Sequence, residues 1–196
     1  HNNGQITTLL APLYAGGSTV IVKGKISLYA FWDLVNEYKA TWTSVMASIL
    51  SILLSLPNER KDNSLRAILC GGQILTRSVQ EQFESRFNVP IFEGYGMTEN
   101  CAYASGNNDK KMKLGTVGVP NHGVEIKLAD DGEILVKGEN VMLGYWNNKE
   151  ETANAIKDGW LHTGDIGEID PEDGYLKITD RKNALRQNPY KNAYRA

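Results

Sequence analysis

Through its first hundred residues the chain alternates short apolar runs with longer amphipathic ones, and this constrains the fold most. Ser18 to Val22 (STVIV) is β-branched, follows Gly16-Gly17 and reads as a buried strand. From Ser27, apolar residues fall at Leu28, Phe31, Trp32, Val35 and Tyr38, a helical stripe with Ser27 as its N-cap. Thr43 to Met46 reads as a second strand, and Ser48 to Leu56 as an apolar helix closed by Pro57. Arg66 to Cys70 is again strand-like and ends at Gly71-Gly72. Thr76 can cap the next helix, whose inner face is Val79, Phe83 and Phe87, and Pro90 to Phe92 follows as a strand. Strands separated by helices must cross over to pair, so the first half predicts a parallel sheet with crossover helices.

The second half changes character. Val124 to Leu128 and Glu133 to Val136 flank Asp131-Gly132, a strong hairpin signal. Glycines then recur at Gly138, Gly144, Gly159, Gly164, Gly167 and Gly174 with short apolar pieces between them. This predicts a smaller antiparallel, barrel-like β subdomain. The polar stretch Ser105 to Lys113 (SGNNDKKMK) reads as an exposed loop at the seam. The expected division is an α/β part over 1–112, a β-rich part over 113–180, and a last segment over 181–196.

Composition excludes several classes. A net charge of −2 with scattered basic residues gives no electrostatic case for nucleic acid or an anionic membrane. No apolar stretch approaches the ~20 residues of a membrane span. Cys70 and Cys101 lack metal-like or redox-like spacing, so Cys70 reads as a buried thiol and the reducing cytoplasm as the expected setting. The opening His1-Asn2-Asn3-Gly4, without an initiator methionine, reads as a chain entered mid-sequence.

The most informative segment is Glu93-Gly94-Tyr95-Gly96-Met97-Thr98-Glu99, directly after a predicted strand. Ligands of parallel α/β sheets sit beyond the carboxyl ends of strands, where this loop emerges. Its glycines permit a tight turn and close backbone approach. Tyr95 offers a flat face for a base, Thr98 a hydroxyl for phosphate, and Glu99 a hard oxygen for Mg²⁺. Residue types alone leave a second reading open, a tyrosine corner followed by a capping Thr-Glu pair. Asp165, in Thr163-Gly164-Asp165, is by residue type alone a turn residue, and Arg181 a surface arginine.

Tyr-Gly-x-Thr-Glu resembles a signature of the adenylate-forming superfamily, the acyl-CoA synthetases and their relatives. Gly71-Gly72-Gln73 resembles that family's Gly-Gly-Ala turn, beside adenine and the acyl pocket. Gly144-Tyr145-Trp146 with Glu151-Thr152, then Gly159 to Asp165 (GWLHTGD), resemble its next two motifs in order. Thr179-Asp180-Arg181-Lys182 resembles the element at its hinge between large and small domains, and His1 to Gly4 the Phe-x-His segment beside its acyl channel.

The resemblance implies an AMP-forming carboxylate–CoA ligase, of which this chain is part of the large N-terminal domain. ATP (or AMP), Mg²⁺ and coenzyme A are the implied cofactors, and a carboxylic acid, fatty acids included, the substrate. An acyl-AMP ligase feeding an acyl carrier protein, a peptide-synthetase adenylation domain and a non-catalytic AMP-binding fragment are the alternatives. Carried over by position, Thr98 and Glu99 hold the reacting phosphate and its metal. Glu93, Gly94, Tyr95, Gly96 and Met97 line the adenine side with Gly71, Gly72 and Gln73. Asp165 takes the ribose hydroxyls, Arg181 the ribose and phosphate oxygens, and His1 the substrate channel.

Three departures stand out. The phosphate loop that normally precedes the His segment is absent, as is the small domain with its catalytic lysine. The hinge position holds Asn183, and Ala184 to Ala196 lacks the family's apolar strand. Gln73 in place of alanine is expected to narrow the pocket.

Overall fold

The computed structural model describes residues 3–22, 28–57 and 63–182. His1, Ser27 and the chain from Asn183 onward lie outside the described residues. A π-helical segment, Gly4–Leu10, runs into α1 (Ala11–Tyr14). A 3₁₀ turn at Leu28–Ala30 leads into α2 (Phe31–Tyr38), which buries Trp32 and Val35 from the predicted stripe. β1 (Trp42–Val45), α3 (Ala47–Ser55), β2 (Ala67–Cys70), α4 (Arg77–Phe87) and β3 (Ile91–Tyr95) follow in order. Thr76 caps α4 as expected, its hydroxyl accepting the Val79 N–H at 3.4 Å.

β1, β2 and β3 pair in parallel, with Val45 beside Cys70 and Cys70 beside Glu93. The helices cover them with one core, in which Trp32, Phe83 and Phe87 meet with ring centroids 4.6–6.3 Å apart. Full burial of each such ring contributes roughly 2–3 kcal/mol. Cys70 is fully buried in this core, and its thiol is pushed up to about 12 by burial first and the Glu93 charge second.

The sheet does not stop at its parallel strands. β3 also pairs antiparallel with β4 (Ser105–Gly106), which pairs with β5 (Val119–Pro120). The expected exposed loop at Ser105 to Lys113 is therefore corrected at its start. Ser105 and Asn107 are buried, because β4 needs ladder partners on both sides and Asn107 ties it to β3. The Asn107 N–H donates to the Glu93 carbonyl at 2.9 Å, and Nδ2 to the Thr116 carbonyl at 2.7 Å. The expected strand at Ser18 to Val22 is also corrected. It enters no ladder among the described residues, and Val20 and Ile21 face outward. β-branched composition fits a strand only where a partner strand supplies hydrogen bonds.

The second sheet is antiparallel, in the order β10-β9-β7-β6. It comprises β6 (Val124–Leu128), β7 (Glu133–Gly138), β9 (Trp160–Ile169) and β10 (Leu176–Arg181), with β8 (Ile156–Lys157) pairing on β9. The hairpin forms as read from Asp131-Gly132, with Gly132 at φ +81°. α5 (Lys149–Ala155) precedes β8, and its Thr152 explains the spacing of the Gly-Tyr-Trp and Glu-Thr pieces. The Thr152 hydroxyl accepts the Tyr145 N–H at 2.9 Å, and its side chain fills the space a Cβ on Gly144 would need. The second core is Ile134, Val136, Leu161 and Leu176, joined by Tyr95 and Ala104 from the end of the first sheet. Among the described residues, no helix is long and apolar enough to cross a membrane. The architecture is the predicted α/β one, a sheet with parallel strands and crossover helices followed by a curled antiparallel β unit.

Candidate functional site

At two positions around the carboxyl end of β3 the backbone has no room for a side chain. A Cβ on Gly94 would stand 2.1 Å from the Tyr103 hydroxyl, and one on Gly96 2.0 Å from the Ala102 carbonyl oxygen. Beyond them, Thr98–Asn100 form a 3₁₀ turn, and Cys101 and Ala102 take left-handed φ of 53° and 78°. Fully buried Asn100 holds this turn by accepting the Met97 N–H on Oδ1 at 2.8 Å.

The second sheet meets that loop through two irregularities. Between β7 and β9, Leu135 pairs with His162 but Glu133 with Ile166, so β9 carries surplus residues around Thr163-Gly164-Asp165. Between β9 and β10 the register slips once at Thr179, and Arg181 comes opposite Asp165. Bulges of this kind re-aim side chains beside functional sites. Here they aim Asp165 and Arg181 at β3.

The meeting point is a cavity of about 400 Å³. Gly72, Gln73 and Glu93 to Met97 line it from the first sheet, with Gly115 to Val117 beside them. Asp165 and Ile178 to Arg181 line it from the second. Tyr95 donates its hydroxyl to Asp165 Oδ2 at 2.8 Å, and Arg181 Nε stands 3.5 Å from Asp165 Oδ1. Burial first, and the Asp165 charge second, push the Tyr95 phenol far above its ordinary value, so it stays a neutral donor. Arg181 is largely exposed, so its pairing with Asp165 contributes little energy and leaves the guanidinium able to turn to a ligand. Glu93 is buried on the cavity wall and accepts the Leu75 N–H at 3.2 Å. Burial pushes its carboxyl up to about 7, against the lowering effect of that hydrogen bond.

Most residues predicted from sequence thus come together, and some stand apart. Gly71 lies outside the lining and packs under the loop, its Cβ position 3.1 Å from the Gly94 carbonyl oxygen. Gln73 lines the cavity, but its Oε1 also accepts the Ser48 N–H at 3.2 Å and so caps α3, whose N-cap residue Met46 offers no side-chain bond. Thr98 and Glu99 lie just past the lining. Glu99 Oε1 accepts the Tyr145 hydroxyl at 2.8 Å, and its carbonyl accepts the Met142 N–H at 2.7 Å. His1 lies outside the described residues. No group of three or more acidic, histidine or cysteine side chains forms a metal cage among the described residues. A single carboxylate such as Glu99 fits Mg²⁺, which keeps several waters and takes the rest of its oxygens from phosphates.

Two groups escaped the sequence analysis. Asn140 Nδ2 donates to the carbonyls of Asn100 (3.2 Å) and Tyr103 (3.1 Å), clamping the left-handed turn. Glu133 is a buried carboxylate that bonds both irregular strands. The only available signal for Glu133 was its place after Asp131-Gly132, which the hairpin reading had already absorbed.

The model of the AMP-binding enzyme family matches residues 1–146. The chain belongs to that family. It is 37% identical over 191 residues to the 2-succinylbenzoate–CoA ligase of Bacillus pumilus, covering 92% of this chain and 39% of that protein. It is 35% identical over 197 residues to the sulfoacetate–CoA ligase of Cupriavidus necator, covering 94% and 38%. The O-succinylbenzoate coenzyme A synthetase of Bacillus subtilis, solved in complex with AMP, superposes with a TM-score of 0.82 at 31% identity. That match covers 93% of this chain and 39% of the other. An anthranilate CoA ligase in complex with anthranoyl-AMP superposes with a TM-score of 0.87 at 26% identity, covering 93% and 38%. This AMP-binding family chain therefore spans about two fifths of the length of the relatives it matches.

Proposed function

We propose that this AMP-binding family chain forms the nucleotide side of an AMP-forming carboxylate–CoA ligase. The observation that carries the reading is the convergence of Tyr95, Asp165 and Arg181 on one cavity from two sheets. Asp165 already accepts one neutral donor and has carboxylate lone pairs left, which suits a pair of ribose hydroxyls. The planar fork of Arg181 suits ribose and phosphate oxygens. Tyr95 presents its ring to adenine, with the Glu93–Gly94 backbone at the base's edge, Gly72 and Gln73 bordering it, and Gly71 supporting the loop from beneath. Thr98 and the amides around it hold the α-phosphate.

In the proposed reaction a carboxylate oxygen bonds to the α-phosphorus, the bond to pyrophosphate breaks, and the thiol of coenzyme A then displaces AMP from the acyl group. The attacking carboxylate is already ionised, so the protein's task is to orient it and stabilise charge on phosphoryl oxygens. Mg²⁺, when bound, neutralises part of that charge. Glu99 would hold it, with Tyr145 fixing one carboxylate oxygen and leaving the other free.

The acid remains open to a panel of substrates. The names of the relatives range over 2-succinylbenzoate, sulfoacetate, oxalate and long-chain fatty acids, so a fatty acid is one class among several. Coenzyme A is the proposed acceptor, with an acyl carrier protein as the alternative that a thiol panel separates. The cytoplasm, where the free Cys70 and Cys101 thiols stay reduced, is the proposed setting.

The test is calorimetric titration of the chain with AMP beside carboxylate-dependent ATP–pyrophosphate exchange. Because the chain spans 39% of its relative's length, AMP binding without exchange is expected. A chain that neither binds AMP nor shifts its melting temperature with AMP or ATP would overturn the nucleotide reading.

A further inference from the structure

The second sheet contains a buried carboxylate that the reading above does not use. Glu133 stands at the start of β7, 5% exposed, opposite the surplus residues of β9. Its Oε1 accepts the Gly164 N–H at 2.9 Å, in the middle of Thr163-Gly164-Asp165. Its Oε2 accepts the Lys182 ammonium at 2.9 Å and lies 3.0 Å from His162 Nδ1. Lys182 also pairs with Asp131 at 2.5 Å, and its own N–H donates to the Gly164 carbonyl at 2.7 Å. One carboxylate therefore bonds the residue before Asp165 and the residue after Arg181. Burial alone would raise the Glu133 carboxyl, but the bonds from Lys182, His162 and Gly164 outweigh it and hold the group below its ordinary value. It is an anion at neutral pH.

A bulge leaves ladder groups unpaired, and an unpaired strand segment is free to choose among conformations. Two further bonds support the segment without fixing Gly164. The Thr163 hydroxyl donates to the Ile134 carbonyl at 2.8 Å and accepts the Asp165 N–H at 3.1 Å. Gly164, at φ +71°, is the left-handed residue of the bulge, and Glu133 is the side chain that bonds its N–H.

We infer that Glu133 is a positioning residue for ribose recognition: it fixes the Gly164 bulge and the Arg181–Lys182 strand end so that Asp165 and Arg181 face the cavity together. This rests on the nucleotide reading of the cavity. Glu133 reaches neither the cavity lining nor a ligand in it, so its effect passes through Asp165 and Arg181.

The test compares AMP with its 2′,3′-dideoxy analogue by calorimetry on the 196-residue chain and on Glu133→Gln. Misplacing one charge-assisted hydrogen bond changes affinity by about tenfold. The variant is expected to lose about tenfold in AMP affinity and less than about twofold for the dideoxy analogue, so its preference for ribose hydroxyls collapses. In Glu133→Gln/Asp165→Asn the losses are expected to be non-additive, since both act on the same contact. Equal weakening of both nucleotides would mean that Glu133 merely supports the fold, and would overturn the proposal. An unchanged ribose preference would overturn it too. If Glu133→Gln fails to fold, Glu133→Asp keeps the charge while shortening its reach, and the same comparison decides. Failure of the wild-type chain to bind AMP would overturn the nucleotide reading and this proposal with it, whereas the other two outcomes leave that reading standing.

Discussion

At the residue scale, the cavity is built from groups whose protonation is set by burial. Tyr95 stays neutral and donates to Asp165. Tyr95→Phe removes that donor while keeping the ring, and is expected to weaken AMP binding about tenfold by calorimetry. Glu93 makes the opposite kind of prediction. Its folded-state carboxyl titrates near 7, above the unfolded value, so the folded chain binds the extra proton. The stabilisation from this site is fully present below the unfolded value near 4.5 and is lost as pH rises through about 7. Its full span is about 3 kcal/mol. Chemical denaturation between pH 5 and 8 should show wild type falling relative to Glu93→Gln across that window. Parallel pH profiles for the two proteins would contradict the assignment. Glu133, held below its ordinary value, acts in the acid range with the opposite sign and does not confuse the comparison.

At the element scale, the β3 loop depends on backbone meeting backbone. A Cβ on Gly96 meets the Ala102 carbonyl oxygen, which no side-chain rotation can move. Gly96→Ala is expected to cost about 2–3 kcal/mol, measured by urea denaturation. Gly115→Ala, with left-handed φ but open space around it, should cost only about 1 kcal/mol. Much of this scale was legible in the sequence. The stripe of α2, the Thr76 cap and the Asp131-Gly132 hairpin all rest on rules linking neighbouring residues. The cap and the hairpin formed as read, while the α2 stripe buried Trp32 and Val35 but left Tyr38 exposed and Leu28 in a preceding 3₁₀ turn. What was not legible depended on partners distant in sequence. Ser18 to Val22 had the composition of a strand but no ladder to join. Ser105 to Asn107 looked like polar loop and was buried by β3 and β5. The site followed the same division. The glycines and Tyr95 announced themselves within one heptapeptide, whereas Asn140 and Glu133 act across the fold and carry no local signature.

For the whole molecule, the cavity is bounded by both sheets, and Tyr95 belongs to the core of the second while ending a strand of the first. A ligand bound there should stabilise both as one body. Trp32 reports on the first core, and Trp160, between Lys127 and Lys137, on the second sheet. In variants retaining one or the other, AMP at about a hundred times its dissociation constant should add about 2.7 kcal/mol to both unfolding curves. A gain seen by Trp160 alone would mean that the two sheets unfold independently.

The single-residue slip at Thr179 decides which charge the site holds. An unbroken ladder running on from the Ile178–Gly167 pair would set Asp180, not Arg181, opposite Asp165. Two carboxylates would then face each other where a cation and an anion now do, and the site would repel a nucleotide instead of receiving it. Thr179 is the surplus residue that prevents this, and a chain without it would regain an unbroken ladder with Arg181 still opposite Asp165. Deletion of Thr179 should therefore lower AMP affinity less than Arg181→Ala does, and a titration ranking them the other way would refute it. One surplus residue in a strand thus decides which of two neighbours, an anion or a cation, meets the nucleotide.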